Sequence, residues 1–365
     1  MNNQRNIIKI GFMFTITFLI LSGCKRINII DQLQIVTILG FSKEDDKYIG
    51  TALYTDYTEQ KQGKVHTLQG EASTVELVLD DINSQSEKPI NIGKLMLLIV
   101  SEDIAKEDMS DILKTICRDP LVGTNLIVAV SEIPPKEILN KIKEEGGGYL
   151  PELIEQNFIS KNIPISNLHI FLFNYYGKGR DVAVPYLKLN QKGKVEVNEY
   201  AVFKREKLGL ILNEKEMVLY KILQDKSIGG QVAVNVHKDQ FEDVAVLTIL
   251  SGKIIESVSN PNTLPRISYN ITLNGIVRDY PKWLDMRKKE NNLLLDRQLE
   301  KKFKEDLKHL LLKFQEHNVD PLGIGDFIRA HSEEWNEEQF YETIYPTITF
   351  NVDINVVLSK SGIKQ

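Results

Sequence analysis

From Arg287 to His317 an apolar residue returns every three or four positions: Leu295, Leu299, Phe303, Leu307, Leu310 and Phe314. That spacing lays them along one stripe of an α-helix. The opposite face is rich in Lys, Glu and Asp. A helix this long spans roughly 45 Å, and its stripe must cover something flat and apolar. The neighbouring segments supply it. Residues 231–258 and 267–277 alternate apolar and polar as half-buried strands do. A last strand runs from Thr347 to Leu358, with Ile348, Phe350, Val352, Ile354 and Val356 in alternation. Strands, a long helix, then one more strand predict an α+β arrangement for this part of the chain. A membrane-surface or partner helix would be the other use of such a stripe. Its polar face carries both signs of charge, which disfavours a membrane.

The first half mixes the two periods. Ile35 to Phe41 and Tyr48 to Tyr57 read as strands joined by the charged turn Lys43-Glu44-Asp45-Asp46. Ser73 to Ser84 reads as a helix, with Ser73 as its cap, Glu76 three residues on, and Val75, Val78, Leu79 and Ile82 on one face. Leu95 to Val100 and Leu126 to Val130 are fully apolar runs, as central strands are. Asp108 to Cys117 reads as a second helix. Residues 144–165, with Gly146-Gly147-Gly148, Pro151 and Pro164, read as a connector. The glycine triplet lacks the Lys-Ser/Thr and the preceding strand of a phosphate loop. Further on, Val195 to Phe203 and Leu208 to Leu212 form a predicted hairpin, and Asn213 caps a helix from Glu214 to Leu223. The fold class is therefore α+β: multi-domain, with mixed sheets packed by helices and a long amphipathic helix ahead of a final strand. The expected division is a leader at 1–23, an amino-terminal α/β region at 24–190 with up to two subdomains, and a carboxy-terminal α+β domain at 191–365.

The leader is read from Arg5 and Lys9, the apolar stretch Ile10 to Leu21, and the absence of any acid up to Gly23. This is the layout of a secretory signal. It is shorter than the roughly 20 apolar residues that a spanning helix needs. Leu21, Ser22 and Gly23 directly before Cys24 look like a bacterial lipobox. That predicts cleavage before Cys24, a lipidated thiol and an acylated amino terminus. Two or three acyl chains hold a protein on a membrane stably. The plainer alternatives are an ordinary signal peptide or an uncleaved anchor with a chance cysteine. Removing residues 1–23 takes away two positive charges and moves the net charge from −5 to −7. Such a balance argues against nucleic acid, which needs a basic footprint. It also argues against broad electrostatic attachment to anionic lipid, so the acyl chains would do the anchoring. With 42% hydrophobic and 26% charged residues, the chain has cores to bury. If Cys24 carries lipid, Cys117 has no partner within the chain and reads as an inert core thiol.

No constellation reads as catalytic. The six histidines, at 66, 169, 237, 309, 317 and 331, include no pair at the i, i+4 spacing of a helical zinc site, and there is no cysteine cluster. His309 and His317 read as solvated. A Gly-x-Ser-x-Gly elbow and a dinucleotide fingerprint are both lacking. The reading is of a non-enzyme without cofactor or metal. A carboxylate pair of the glycosidase kind is left unsupported.

Several segments carry a resemblance. Gly177 and Gly179 precede Asp181-Val182-Ala183-Val184-Pro185-Tyr186-Leu187. Ala201 to Gly209 leads into Leu212-Asn213-Glu214-Lys215-Glu216. Asp320-Pro321-Leu322-Gly323-Ile324-Gly325 is followed by Trp335 and a strand closing at Ser361-Gly362. With the lipobox, these resemble the Ger(x)C lipoproteins, the C subunits of GerA-type spore germinant receptors, across nearly the whole mature chain. The Trp-Asp and Glu common after the lipidated cysteine are replaced by Lys25, Arg26 and Ile27. The resemblance implies a lipid-anchored subunit on the outer face of the spore inner membrane. Its partners would be integral membrane A-type and B-type subunits, with no nucleic acid. It would be needed for receptor assembly and the nutrient response and would have no chemistry of its own. A lipid-anchored solute-binding protein of an importer, with two similar lobes and a cleft, is the alternative; an extracytoplasmic hydrolase is a further one. From the residues alone, Phe203 and Trp335 read as core aromatics, Pro185 as a strand edge or bulge, and Gly209 and Gly323 as turns or close approaches.

Overall fold

A computed structural model describes residues 32–56, 64–224 and 228–359. The lipobox residues Leu21, Ser22, Gly23 and Cys24 lie outside the described residues. In chain order the elements are β1 (Gln34–Glu44), β2 (Lys47–Asp56), β3 (Lys64–Ala72), α1 (Val75–Ser84), β4 (Ile90–Asn91), β5 (Leu97–Ser101), α2 (Glu102–Glu107), α3 (Ser110–Arg118), β6 (Ile127–Ser131), α4 (Pro135–Ile142), α5 (Tyr149–Ile159) and α6 (Leu168–Tyr175). Next come β7 (Ala183–Leu189), β8 (Val195–Lys204), β9 (Lys207–Leu212), α7 (Glu214–Leu223), β10 (Gly230–Lys238), β11 (Phe241–Ser259), β12 (Arg266–Asp279), α8 (Lys289–Glu316), α9 (Ile324–Arg329), the short turn α10 (Glu337–Gln339) and β13 (Thr349–Leu358).

The described strands form two sheets. The larger has the order β3-β2-β1-β5-β6-β7-β8-β9, with β4 beside β1. Its middle, β1-β5-β6-β7, is parallel, and antiparallel hairpins finish both sides. The β1–β2 turn places Asp45 and Asp46 at φ 46° and 63°. Short acidic side chains tolerate this left-handed backbone, which suits the strand twist of a tight hairpin. The central strands are buried on both faces. Ile38, Leu97, Ile99, Ile127 and Ala129 face one core, while Leu39, Leu98, Val100, Val128 and Val130 face the other. Their uninterrupted apolar runs follow from that. Residue 190 lies in the turn between β7 and β8, whose strands are paired within this sheet.

The smaller sheet has the order β10-β11-β12-β13, with β12 and β13 parallel. The crossover between those two is α8. All six residues of its predicted stripe are buried against the sheet. Both outer strands reach this helix. Gln298 accepts from the His237 amide at 2.8 Å and donates to the His237 carbonyl at 2.5 Å, and Glu300 accepts from the Val356 amide at 3.1 Å. The helix thus occupies backbone groups at the two edges where another strand could add. One apolar core runs without a break from Ile38 and Leu97 in the first sheet to Tyr269 and Val352 in the second.

Several local expectations change. Thr74, not Ser73, caps α1, accepting from the Leu77 amide at 3.3 Å. The connector 144–165 contains the helix α5. The apolar anchors Leu150 and Ile154 bury there, and Gly146 to Gly148 only lead into it. Strand β3 and helix α2 were not foreseen: β3 has partly buried residues on both faces, and α2 is too short to show a period. Pro185 sits in an interior strand, one residue before the β6–β7 pairing begins at Tyr186, with an irregularity following on the β8 side. Cys117 is half-buried beside the second core, and burial pushes its thiol up to about 11. No described helix is long and apolar enough to cross a membrane.

Candidate functional site

Three of the segments singled out in the sequence meet at one place, beside the start of β7. Two residues before the strand stands Asp181, only 5% exposed. Its carboxylate takes three donors from two other segments. Oδ2 accepts from Lys204 Nζ at 3.2 Å and from the Asp320 amide at 2.7 Å; Oδ1 accepts from the Arg205 amide at 3.4 Å. The Asp181 amide returns a bond to the Asp320 carbonyl at 2.9 Å. Asp320 is fully buried. Its two oxygens accept from the Ile324 and Gly325 amides at 2.8 and 2.7 Å, and Tyr341 donates at 3.2 Å. Lys204 also stands 3.4 Å from the centre of the Tyr341 ring, a cation–π contact.

The backbone makes the approach possible. Gly179 has φ 71°, and a β-carbon there would lie 2.4 Å from the Asp326 nitrogen and 2.5 Å from the Gly325 carbonyl carbon. The Asp326 amide in fact donates to the Gly179 carbonyl at 2.8 Å, and the Gly179 amide donates to Glu337 at 2.8 Å. Gly323, at φ 74°, turns the chain into α9. Outside this contact, Arg180 pairs with Asp326, which also holds Arg329 at 2.6 Å. Inside it, Phe340, Tyr341, Tyr345 and Trp335 pack ring on ring.

Burial dominates the electrostatics. It raises the Asp181 carboxyl above its ordinary value against the pull of Lys204. It pushes Asp320 up to about 7, opposed by the two backbone amides. An open cleft of about 420 Å³ adjoins the cluster, lined among others by Tyr175, Lys178, Arg180, Lys204 and Tyr341. Each oxygen of Asp181 and Asp320 already has a donor within the protein. They therefore tie the strand start, the β8–β9 turn and the α9 loop together, rather than waiting on a substrate. Among the described residues no group of three or more His, Cys, Asp or Glu is placed to hold a metal.

Of the sequence-predicted roles, Phe203 is buried, and Trp335 packs partly buried against the core. A β-carbon on Gly209 would press Val319 at 2.9 Å, so that glycine serves a close approach. Asn213 makes the full capping box with Glu216. His309 and His317 are exposed. Sequence reasoning gave no role to Asp181, Lys204, Asp320 or Tyr341. The available signal was an acid at the head of two motifs next to glycine pairs.

Residues 26–189 match the family described as spore germination protein N-terminal domain, and residues 198–362 match that described as spore germination B3/GerAC like, C-terminal. The chain belongs to the Ger(x)C family of spore germination proteins. Among its relatives is the spore germination protein GerQC of Bacillus cereus, 25% identical over 98% of this chain and 100% of that one. Another is the putative spore germination protein YfkR of Bacillus subtilis (strain 168), 19% identical over 94% of each. The crystal structure of the GerBC protein shares the fold, with a TM-score of 0.58 at 18% identity, over 88% of this chain and 96% of that one.

Proposed function

We propose that this protein is the lipid-anchored, non-catalytic C-type subunit of a nutrient germinant receptor. In this reading Cys24 carries the acyl anchor on the outer face of the spore inner membrane. The subunit assembles there with A-type and B-type integral membrane subunits and is required for receptor assembly and the nutrient response. One observation carries the reading: both family matches run head to tail from residue 26, two residues after the cysteine that ends the lipobox. The clasp around Asp181 and Asp320 supports a scaffold role, since it uses two buried carboxylates to join three segments of the chain. Confinement to the membrane plane raises the effective concentration of such a subunit beside its partners. The importer alternative calls for two similar lobes, whereas the two sheets differ in size, strand order and cover.

The test is a Cys24→Ala protein expressed in place of the native one. Loss from the spore membrane fraction, with reduced recovery of A-type and B-type receptor subunits, is the expected result. A Cys24→Ala protein that stays lipidated and membrane-bound would sink the anchor.

A further inference from the structure

The segment between α8 and β13 does more than reach the clasp. Its second half folds over the end of the small sheet where the parallel strands β12 and β13 both begin, with Arg266 opposite Thr349. Between this segment and the β11–β12 turn lies an open cavity of about 450 Å³. Pro261 of the turn forms one wall. Trp335 and Phe340, with ring centres 4.7 Å apart, and Ile344 form the apolar floor. Glu333 and Glu334 line the polar side. Cavities of roughly 300–1,000 Å³ are of the size that takes a small molecule.

The floor is built unusually. The Tyr345 amide bonds the Phe340 carbonyl five residues back, so Phe340–Ile344 is a π-turn. Such turns are rare and occur frequently at functional sites. Trp335 Nε1 is buried and meets no acceptor in the protein. Buried indoles usually find one; here packing alone sets the tilt of the ring. The acids are uncommitted as well. Among the described residues neither Glu333 nor Glu334 makes an ion pair or a side-chain hydrogen bond. This differs from the cleft beside Asp181, whose buried carboxylates are already matched. No Lys, Arg or His lines the cavity. From Ile324 to Ile348 the acids are Asp326, Glu333, Glu334, Glu337, Glu338 and Glu342, and the cations are Arg329 and His331. Asp326 holds Arg329 at 2.6 Å, and the His331 ring bonds the Phe327 carbonyl at 2.8 Å. On the strand side, Tyr269 bonds Glu256, and Arg266 reaches the Thr349 hydroxyl at 3.4 Å. Acids outnumber cations on both counts together, and the two acids at the cavity are not neutralised.

An aromatic floor beside two unpaired carboxylates suits a cation on an apolar stem. The ring face attracts the charge, and the carboxylates accept its N–H donors. From this arrangement we propose that the cavity binds a primary alkylammonium group, carried either by a free amine or by a lysine side chain of a partner protein. The ammonium stands over the Trp335 indole with Glu333 and Glu334 as acceptors, and the stem lies against Ile344 and Pro261. Phe340 also packs on Tyr341, so the cavity borders the contact that joins this segment to the first sheet. The site does not depend on the acyl anchor.

The chain has two tryptophans, and the other, Trp283, stands past the far end of β12, stacked on Phe241. The full chain labelled with 5-fluorotryptophan in a non-ionic detergent therefore gives two fluorine resonances, assigned with Trp283→Phe. Butylammonium is titrated at neutral pH, beside 1-butanol and butyrate as the neutral and anionic counterparts. The expected result is a saturable shift of the Trp335 resonance with butylammonium alone, and none at Trp283. Glu333→Gln combined with Glu334→Gln should weaken that binding about tenfold or more. Both side chains are exposed, so the melting temperature should hold. Acetyl-lysine methylamide separates the two sources: binding as tight as that of butylammonium shows that a side chain on a backbone is admitted, and exclusion assigns the site to a free amine. No saturable shift at Trp335, an equal shift with butanol, or an undiminished affinity in the double variant overturns the proposal.

Discussion

The two sheets of this protein solve the same problem under different cover. The larger one has apolar cores on both faces, so each residue of β5 and β6 is buried and the strands carry no polar position to spare. The smaller one is covered on one face by α8. Its other face shows Lys253, Ile255, Ser257, Asn270, Asn351 and Asp353 to the outside, in register across β11, β12 and β13. Where water reaches one side, the chain alternates; where it reaches neither, the chain runs apolar. The difference also locates the polar interior. Among the described residues, buried acids gather not within either sheet but just before the start of β7, where the segment after α8 docks on the first sheet. Buried carboxylates are tolerated there because backbone amides and Lys204 meet each oxygen.

That contrast can be broken experimentally, beginning where the effect is largest. Leu98→Ala, at a position closed on both sides, should cost about 3–4 kcal/mol of unfolding free energy in urea titration. A cost under 1 kcal/mol would mean that the central strands are not packed as described. Asp181→Ala leaves Lys204 and the Asp320 amide without their acceptor in a largely closed site. A loss of about 3 kcal/mol is expected, and Asp181→Asn should recover part of it.

The clasp has a pH signature as well. The folded-state pKa of Asp320, about 7, lies above its ordinary value. The folded protein therefore binds more protons than the unfolded chain between roughly pH 4 and 7, and stability falls as pH rises through that window. Between pH 5 and 7.5 this one group should lower stability by about 2 kcal/mol. Thermal melts of the native protein and of Asp320→Asn, compared across that range, should differ in slope by that amount. Parallel slopes would mean that Asp320 is not the group responsible. The smallest effect belongs to the open face: Ile255→Thr, half-exposed on β11, should change stability by less than about 0.5 kcal/mol. A larger loss would show that this face is covered after all.

Much of this comparison was legible in the residues. The stripe of α8, the capping box at Asn213 and the apolar runs of β5 and β6 each follow from a period or a cap that a single segment carries. What was hidden depends on partners far away in the chain. Helix α5 was masked by Gly146 to Gly148 and Pro151, because its anchors Leu150 and Ile154 are few. Strand β3 lacks a clean alternation because both of its faces are partly covered. The clasp could not be assembled from sequence, since Asp181 meets Asp320 across 139 positions and a carboxylate does not announce its donors. The motifs nonetheless marked the place, with Gly179, Gly323 and Gly325 giving the close backbone approach that it requires.

The central claim is that this protein acts at the nutrient-sensing step of germination. The direct measurement is germination of spores lacking its gene, followed by loss of refractility and dye release across a panel of nutrients, with calcium-dipicolinate as a bypass. The account predicts a lost or reduced nutrient response, restored by the native gene, while the bypass proceeds normally. An unchanged response to each nutrient that the parent spores answer, or an equal failure with the bypass, would contradict it.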